Sequence, residues 1–185
     1  MPLVALLDTN ALWSAAIRDT LLLAAEQNRF RPVWTRQILE EMSRSLKARR
    51  PDLDPGRIDR TVDQIITHFP DALVERYEHL IPVMLNDEGD RHVLAAAVRS
   101  GSGVIVTWNK AHFRPEACTP YDIEVQDPDE SLCDLWFQDP EAMAHVLQLQ
   151  AEHLVNPPQT VHKVIETLRR SVPEFAQTAQ SAGLL

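Results

Sequence analysis

Asp8 and the group Asp87-Glu88-Gly89-Asp90 are the residues of this sequence whose types and placement suit them to chemistry. Leu3 to Leu7 is a continuous apolar run of strand length, the pattern of a strand covered on both faces in a parallel sheet. Open α/β sheets place their sites beyond the carboxyl ends of the strands, so the acid that ends this run falls in a cleft by geometry. Asp87 is placed as the N-cap of a following helix and Asp90 as its N3 residue, which presents Asp90 at the first turn. Capping and dipole compensation account for Asp87, and taken singly the other acids have the same ordinary explanation. Gathered in one cleft, such carboxylates repel and one pKa rises. Removing one would relieve that strain and leave stability unchanged or higher.

Residues 10 to 28 have helical spacing, with Leu12, Ala15, Ala16, Leu22 and Leu23 available for packing, and Arg31 to Trp34 reads as a short second strand. Thr35 caps a helix running to about Arg49. Arg50-Pro51-Asp52-Leu53-Asp54-Pro55-Gly56 is a turn or linker, followed by a helix from about Arg57 to His68. Ile81 to Leu85 reads as a weak strand. The helix opened by Asp87 carries Val93, Leu94, Ala97 and Val98 and ends at Ser100-Gly101; Val104 to Thr107 is a buried strand and Ile123 to Val125 a last one. Short apolar strands separated by helices predict βαβ units, a parallel sheet and right-handed crossovers. After Gln126 only helices are expected. Asp139-Pro140 and Asn156-Pro157 each read as an N-cap followed by Pro at the first helical position, and Val161, Val164, Ile165 and Leu168 share one apolar face. The expected division is a main α/β domain over residues 1–127 and an acidic helical extension over 128–185, packed on it because short helices are marginal alone.

The composition, 44% hydrophobic and 24% charged, is that of a globular chain. Met1 leads directly into the first apolar run without a basic leader, and no apolar stretch approaches the roughly 20 residues that span a bilayer, so a cytoplasmic location is expected. Cys118 and Cys133 have neither CxxC spacing nor paired histidines nearby, so they suggest neither a disulfide framework nor a zinc site, and two free or buried thiols are the better reading. The net charge of −9 argues at first against nucleic acid. Its distribution changes that: residues 1–125 hold 15 basic and 18 acidic side chains, whereas 126–185 hold 3 and 9. Residues 29–60 hold nine basic side chains against five acids, which offers either a cationic strip or a solvated helix face.

Four segments arrive in a familiar order: Leu6-Leu7-Asp8-Thr9-Asn10; Thr35-Arg36-Gln37-Ile38-Leu39-Glu40-Glu41-Met42; Asp87-Glu88-Gly89-Asp90-Arg91-His92-Val93-Leu94-Ala95-Ala96-Ala97; and Ile105-Val106-Thr107-Trp108-Asn109-Lys110-Ala111-His112-Phe113. Over roughly residues 3 to 125 this pattern resembles the PIN-domain ribonucleases, most closely the VapC-type toxins of bacterial type II toxin-antitoxin systems; the third and fourth segments together are its specific part. The resemblance implies a three-layer α/β/α fold with a central parallel sheet. It also implies a metal-dependent endoribonuclease acting on structured RNA, transfer RNA or a ribosomal loop, with a cognate antitoxin protein as partner; toxins of this type commonly form a homodimer, and the oligomeric state stays open. Asp8, Glu41 and Asp90 take the positions of the three principal acids and would hold Mg²⁺ or Mn²⁺, hard cations that suit oxygen ligands. Such an ion acidifies water and neutralises charge developing on a phosphate. The family's fourth acid lies in the loop after the Thr107 strand, where this chain has Asn109 and His112. Asn109 offers an amide oxygen without negative charge, which implies weaker metal affinity or a second metal that comes only with substrate. His112 is either a phosphate contact or a plain loop histidine. Arg36, Arg44, Lys47, Lys110 and Arg114 are candidates for phosphate contacts, and Trp108 for stacking on a base. Trp13, Trp34 and Trp136 read as core or interface residues, with the surroundings of Trp13 suited to a dimer contact.

Helix geometry leans toward Glu41 over Glu40, by too small an angle to decide alone, and the spacing from Thr35 in the PIN-like pattern favours the same residue. At 100° per residue the apolar stripe Ile38, Leu39, Met42, Leu46 lies about 115° from Glu41 and about 145° from Glu40, so Glu41 is the better placed to reach toward the sheet. The sequence admits two other readings. A phosphatase of the haloacid-dehalogenase type also places Asp after its first strand, but needs a second Asp two residues on, where this chain has Asn10. A catalytically degenerate PIN module would bind RNA or a partner without cutting, in keeping with the missing fourth acid.

Overall fold

The computed structural model describes residues 3–184; Met1, on which the reading of a leaderless start depends, lies outside them. Four short strands, β1 (Val4–Leu7), β2 (Arg31–Val33), β3 (Val104–Val106) and β4 (Glu124–Gln126), form one sheet in the order β2-β1-β3-β4 with every pairing parallel. Leu6 and Leu7 of β1 and Ile105 and Val106 of β3 are fully buried, as continuous apolar runs at the centre of a parallel sheet must be when helices cover both faces. The chain passes from β1 to β2 on one side and then returns to β3 on the other, so β1 and β3 flank the point where the strand order reverses. Such a point opens a crevice beyond the carboxyl ends of the two strands.

The helix expected over residues 10 to 28 is two helices, α1 (Thr9–Trp13) and α2 (Ala15–Glu26), because Ser14 takes an extended conformation between them. α3 (Arg36–Arg49) begins at the Thr35 cap, whose hydroxyl accepts the Ile38 N–H at 3.1 Å. α4 (Pro55–His68) starts two residues earlier than the sequence suggests, since Pro55 sits at the first helical position behind the Asp54 cap. The strand expected over Ile81 to Leu85 is not formed: Glu78–Val83 is a 3₁₀ helix with Pro82 inside it, and Val83 and Leu85 face solvent. Proline cannot donate to a ladder, and a short apolar run has no periodicity that separates strand from helix. One 3₁₀ turn, Glu88–Asp90, leads into α5 (Arg91–Ser100), which ends at Gly101 with φ 66°. A short α6 (Pro115–Cys118) precedes β4.

Beyond β4 come α7 (Pro128–Gln138), α8 (Pro140–His153), α9 (Val161–Leu168) and α10 (Pro173–Ser181). Asp139 caps α8 as expected, but Asn156-Pro157 forms a turn instead of opening a helix; α9 is capped by Thr160, whose hydroxyl accepts the Lys163 N–H. The apolar face of α9 is buried at Val164, Ile165 and Leu168. α8 packs on α2 through a buried amide, with Gln150 accepting from Thr20 at 2.8 Å and donating to the Ala16 carbonyl at 3.0 Å. One continuous core runs from β1 to Phe175 of α10, where Trp136 meets Phe175 edge to face. Cys118 and Cys133 are buried and unpaired, and burial pushes the Cys133 thiol up to about 11. Among the described residues no helix is long and apolar enough to cross a membrane.

Candidate active site

Asp8 emerges from β1 with its backbone N–H donating to the Val106 carbonyl of β3 at 3.1 Å, so its position is fixed by the strand pairing itself. Its side chain is 3% exposed. One carboxylate oxygen accepts from the Thr9 N–H at 2.7 Å as the cap of α1; the other accepts from the Thr107 hydroxyl at 2.7 Å and the Asn10 amide at 3.1 Å. Thr107 in turn accepts from the Asn109 N–H, while the Asn10 carbonyl oxygen accepts from the Trp108 N–H at 2.8 Å. The loops that follow β1 and β3 are thus laced together by Asn10 and Thr107, two uncharged residues the sequence reading did not assign to the site. Burial holds the Asp8 carboxyl above its ordinary value, with Asp90 pushing the same way; the Thr107 and Thr9 hydrogen bonds and His92 pull against them.

Glu41 stands half-buried on α3, where the Thr9 hydroxyl donates to it at 3.2 Å and His92 Nε2 lies 3.5 Å away. Its neighbour Glu40 is exposed. His92, in the first turn of α5, is buried and its Nδ1 has no hydrogen-bond partner. Asp90, where the 3₁₀ turn gives way to α5, accepts from His112 Nδ1 at 2.6 Å, and this raises the His112 pKa. Asp87 caps the turn by accepting the Gly89 N–H, and one ligand atom each from Asp87, Asp90 and His112 lie within 4.8 Å of one another.

A cavity of about 670 Å³ opens over these groups, lined by Asp8, Asn10, Glu41, Asp90, Trp108 and Asn109. It also receives Ser45 and Arg49 of α3, Trp13 and Ser14 at the break between α1 and α2, and Ser171 from the connection between α9 and α10. Four residues singled out for chemistry, Asp8, Glu41, Asp90 and Asn109, therefore share one cleft. The candidates for substrate contact scatter. Arg36 lines a separate depression with residues 73–78, and Arg44 is exposed on α3 without lining the cleft. Lys110 is held by both oxygens of Glu130 at 2.6 and 2.7 Å, and His112 by Asp90. Trp13 faces the cleft, while Trp34 and Trp136 are core. Ser45 and Arg49 were detectable in principle, since they repeat Glu41 at intervals of four along one helix face. His92 and Ser171 had no local signal.

The donor set fits a hard divalent cation. Asp8, Glu41, Asp90 and Asn109 offer oxygen to the cleft and Asp90 pushes the buried Asp8 carboxyl up, while the acidic and histidine ligand atoms close enough to share one ion among the described residues are those of Asp87, Asp90 and His112. A buried carboxylate beside another acid is the arrangement that such an ion relieves.

A family model described as PIN domain matches residues 4–111, and a second, described as VapC50 C-terminal domain, matches residues 128–181. The chain is 41% identical over 104 residues to a protein of Mycobacterium tuberculosis (strain ATCC 25618 / H37Rv) named "Putative ribonuclease VapC50". That match takes in 56% of this chain and 62% of the relative, so it spans about three-fifths of the relative's length. No solved structure matches the chain.

Proposed function

The chain belongs to the PIN-domain family, and from that membership we propose that it is a metal-dependent endoribonuclease cutting structured RNA, the toxin of a cytoplasmic toxin-antitoxin pair. The observation that carries the reading is the convergence of Asp8, Glu41, Asp90 and Asn109 on one cleft at the reversal of strand order. Asp8, Glu41 and Asp90 would hold Mg²⁺ or Mn²⁺, whose chemistry when bound is to acidify water and neutralise phosphate charge. Asp8 is pre-set by its three hydrogen bonds, Glu41 is steered by the Thr9 hydroxyl, and Asn109 offers an uncharged oxygen at the rim. In this reading residues 1–127 are the nuclease domain and 128–185 the extension, a cognate antitoxin occludes the acidic cleft, and a homodimer forms. The name of the Mycobacterium tuberculosis relative supports the ribonuclease assignment.

The test is cleavage of bulk transfer RNA and ribosomal RNA by the purified chain with Mg²⁺ or Mn²⁺, stopped by EDTA. Asp8→Asn, Asp90→Asn and Glu41→Gln should abolish cleavage and weaken Mn²⁺ binding by isothermal titration, whereas Glu40→Gln should change both little. Cleavage by Asp8→Asn at the wild-type rate would overturn the site, and Glu40→Gln proving the more damaging would reverse the assignment on α3. The second reading, an RNA-binding module without cleavage, draws on Asn109 standing where an acid is expected; it predicts RNA binding with no metal-dependent product. Sequencing RNA 5′ ends after brief induction would identify the target.

A further inference from the structure

The net charge of the extension argues that it repels nucleic acid: residues 126–185 carry nine acids against Lys163, Arg169 and Arg170. Its positions of charge argue otherwise. Lys163 is paired with Glu166 at 3.0 Å. Arg169 hydrogen-bonds the uncharged Gln180 and also acts on Glu166 one turn back, whereas Arg170 is exposed with no acid within ion-pair distance among the described residues. These two arginines immediately precede Ser171, which lines the acidic cleft together with Asp8, Asp90, Arg49 and Trp108.

The turn that carries them is exposed yet held. Leu168 and Val172 on either side of it are buried, and the Ser171 and Val172 N–H groups both donate to the Leu168 carbonyl, at 2.9 and 2.8 Å. The start of α10 is fixed by Asp129 of α7, whose carboxylate accepts the Glu174 and Phe175 N–H groups at 3.0 and 2.8 Å. Within the cleft α3 presents Glu41, Ser45 and Arg49 in a row, which puts Arg49 roughly 12 Å along the helix from Glu41. Of the eight other basic residues of the strip at 29–60, four are paired elsewhere, Arg29 with Asp139, Lys47 with Asp59, Arg50 with Asp52 and Arg60 with Asp54. A floor of carboxylates repels phosphate, so a polyanion entering this cleft needs cations at its rim.

We infer that the Arg169-Arg170-Ser171 turn of the extension is an RNA-phosphate contact that acts with Arg49 at the mouth of the acidic cleft, making the extension part of the substrate-binding surface. The inference rests on the ribonuclease reading above. Ser171 supplies a hydroxyl and Arg170 a free guanidinium, both of the type that bonds phosphate oxygens and fixes register without reading sequence. Trp108, 41% exposed in the same cleft, offers a stacking face for a base between those contacts.

The full-length chain is assayed as wild type, Arg170→Ala, Arg170→Glu and the charge-matched control Lys163→Ala, on bulk transfer RNA with Mn²⁺. Binding of the same RNA is measured across a NaCl series in an Asp8→Asn background. Arg170→Glu should raise KM by roughly five-fold or more with kcat within two-fold, and Arg170→Ala should lower the slope of log affinity against log salt by about 0.7 to 0.9, the value of one phosphate contact. Lys163→Ala should match wild type in both, and all variants should keep the parent melting temperature, since neither side chain is buried. Arg170 variants within two-fold of wild type in KM, with an unchanged slope, overturn the contact while leaving the nuclease reading intact. RNA binding with the expected slope change but no cleavage by wild type overturns the nuclease reading alone, and absence of RNA binding overturns both.

Discussion

The β1 side and the α5 side of the cleft hold their acids by different means. Asp8 is enclosed, bonded by the Thr9 N–H, the Asn10 amide and the Thr107 hydroxyl, each of which is itself tied to the sheet or to the adjoining loop. Asp90 keeps 20% of its side chain exposed and has one partner, the ring of His112, which is 46% exposed. The first acid is placed by the core before any ligand arrives, and the second by a single side-chain contact with a surface loop. A site built this way has one acid enclosed in the core and one open to solvent.

The largest test of that difference compares stability in the two acid variants without metal. Relief of carboxylate repulsion favours both substitutions. At Asp8 it is outweighed, because Asp8→Ala strands the Thr9 N–H and weakens the Thr107 and Asn10 contacts in a buried setting, a loss of about 1–3 kcal/mol. For a chain of this size that lowers the melting temperature by roughly 2–4 °C for each kcal/mol. Asp90→Ala should stay within about 0.5 kcal/mol of the parent. Thermal unfolding in EDTA reads both, and equal shifts would break the comparison.

A smaller effect isolates what encloses Asp8. Thr107 is fully buried and its hydroxyl donates to Asp8 while accepting from Asn10 and the Asn109 N–H. Thr107→Val keeps the shape and deletes the hydroxyl, at a cost of about 1–2 kcal/mol, whereas Thr107→Ser should recover most of it. As a positioning residue, Thr107 should affect kcat more than KM, with Ser restoring kcat. A Val variant of unchanged kcat would assign the hydroxyl to structure alone.

The same contrast between local and long-range placement explains what the sequence reveals. Asp8 is legible because the apolar run before it states the strand, and α3 because its stripe and its Thr35 cap agree. The helix angle favours Glu41 over Glu40 by only about 30°, too little to decide alone, and the spacing from Thr35 in the PIN-like pattern agrees; the structure has Glu41 lining the cleft with Glu40 in solvent. Residues 81–85 mislead because four apolar residues around a proline fit two templates. Asn156-Pro157 carries the same cap-and-proline signal as Asp139-Pro140, yet only the latter is followed by a helix, since Thr160 is the cap that α9 uses. His112 meets Asp90 across 22 positions, and Ser171 reaches the cleft from the far end of the chain. Such contacts are set by topology, and no local spacing encodes them.

The smallest effect belongs to the loop on the Asp90 side. Lys110 pairs with Glu130 at 2.6 Å and with Asp127 at 3.8 Å, which tethers the Asn109 to His112 loop to the first turn of α7. The pair holds the Glu130 carboxyl below its usual 4.5 and the Lys110 ammonium above its usual 10.5. A depressed acid contributes stability above its unfolded pKa and loses it as pH falls through the lower folded value; a raised lysine contributes below its unfolded pKa and loses it as pH climbs through the higher folded one. The tether is therefore fully present between about pH 5 and 10 and fades outside that window. Both side chains are 40% or more exposed, so water and salt screen it and it should be worth only about 0.2–1 kcal/mol. Glu130→Gln isolates the charge, because a glutamine oxygen can still accept the Asp127 N–H that closes the capping box. The variant should lower the melting temperature by no more than roughly 2–4 °C at pH 7, and the difference from wild type should shrink in 0.5 M NaCl. The Thr107→Val difference, arising from a buried neutral hydroxyl, should persist in that salt. A Glu130→Gln loss as large as that of Thr107→Val, and equally indifferent to salt, would mean that the loop side is as firmly built as the strand side.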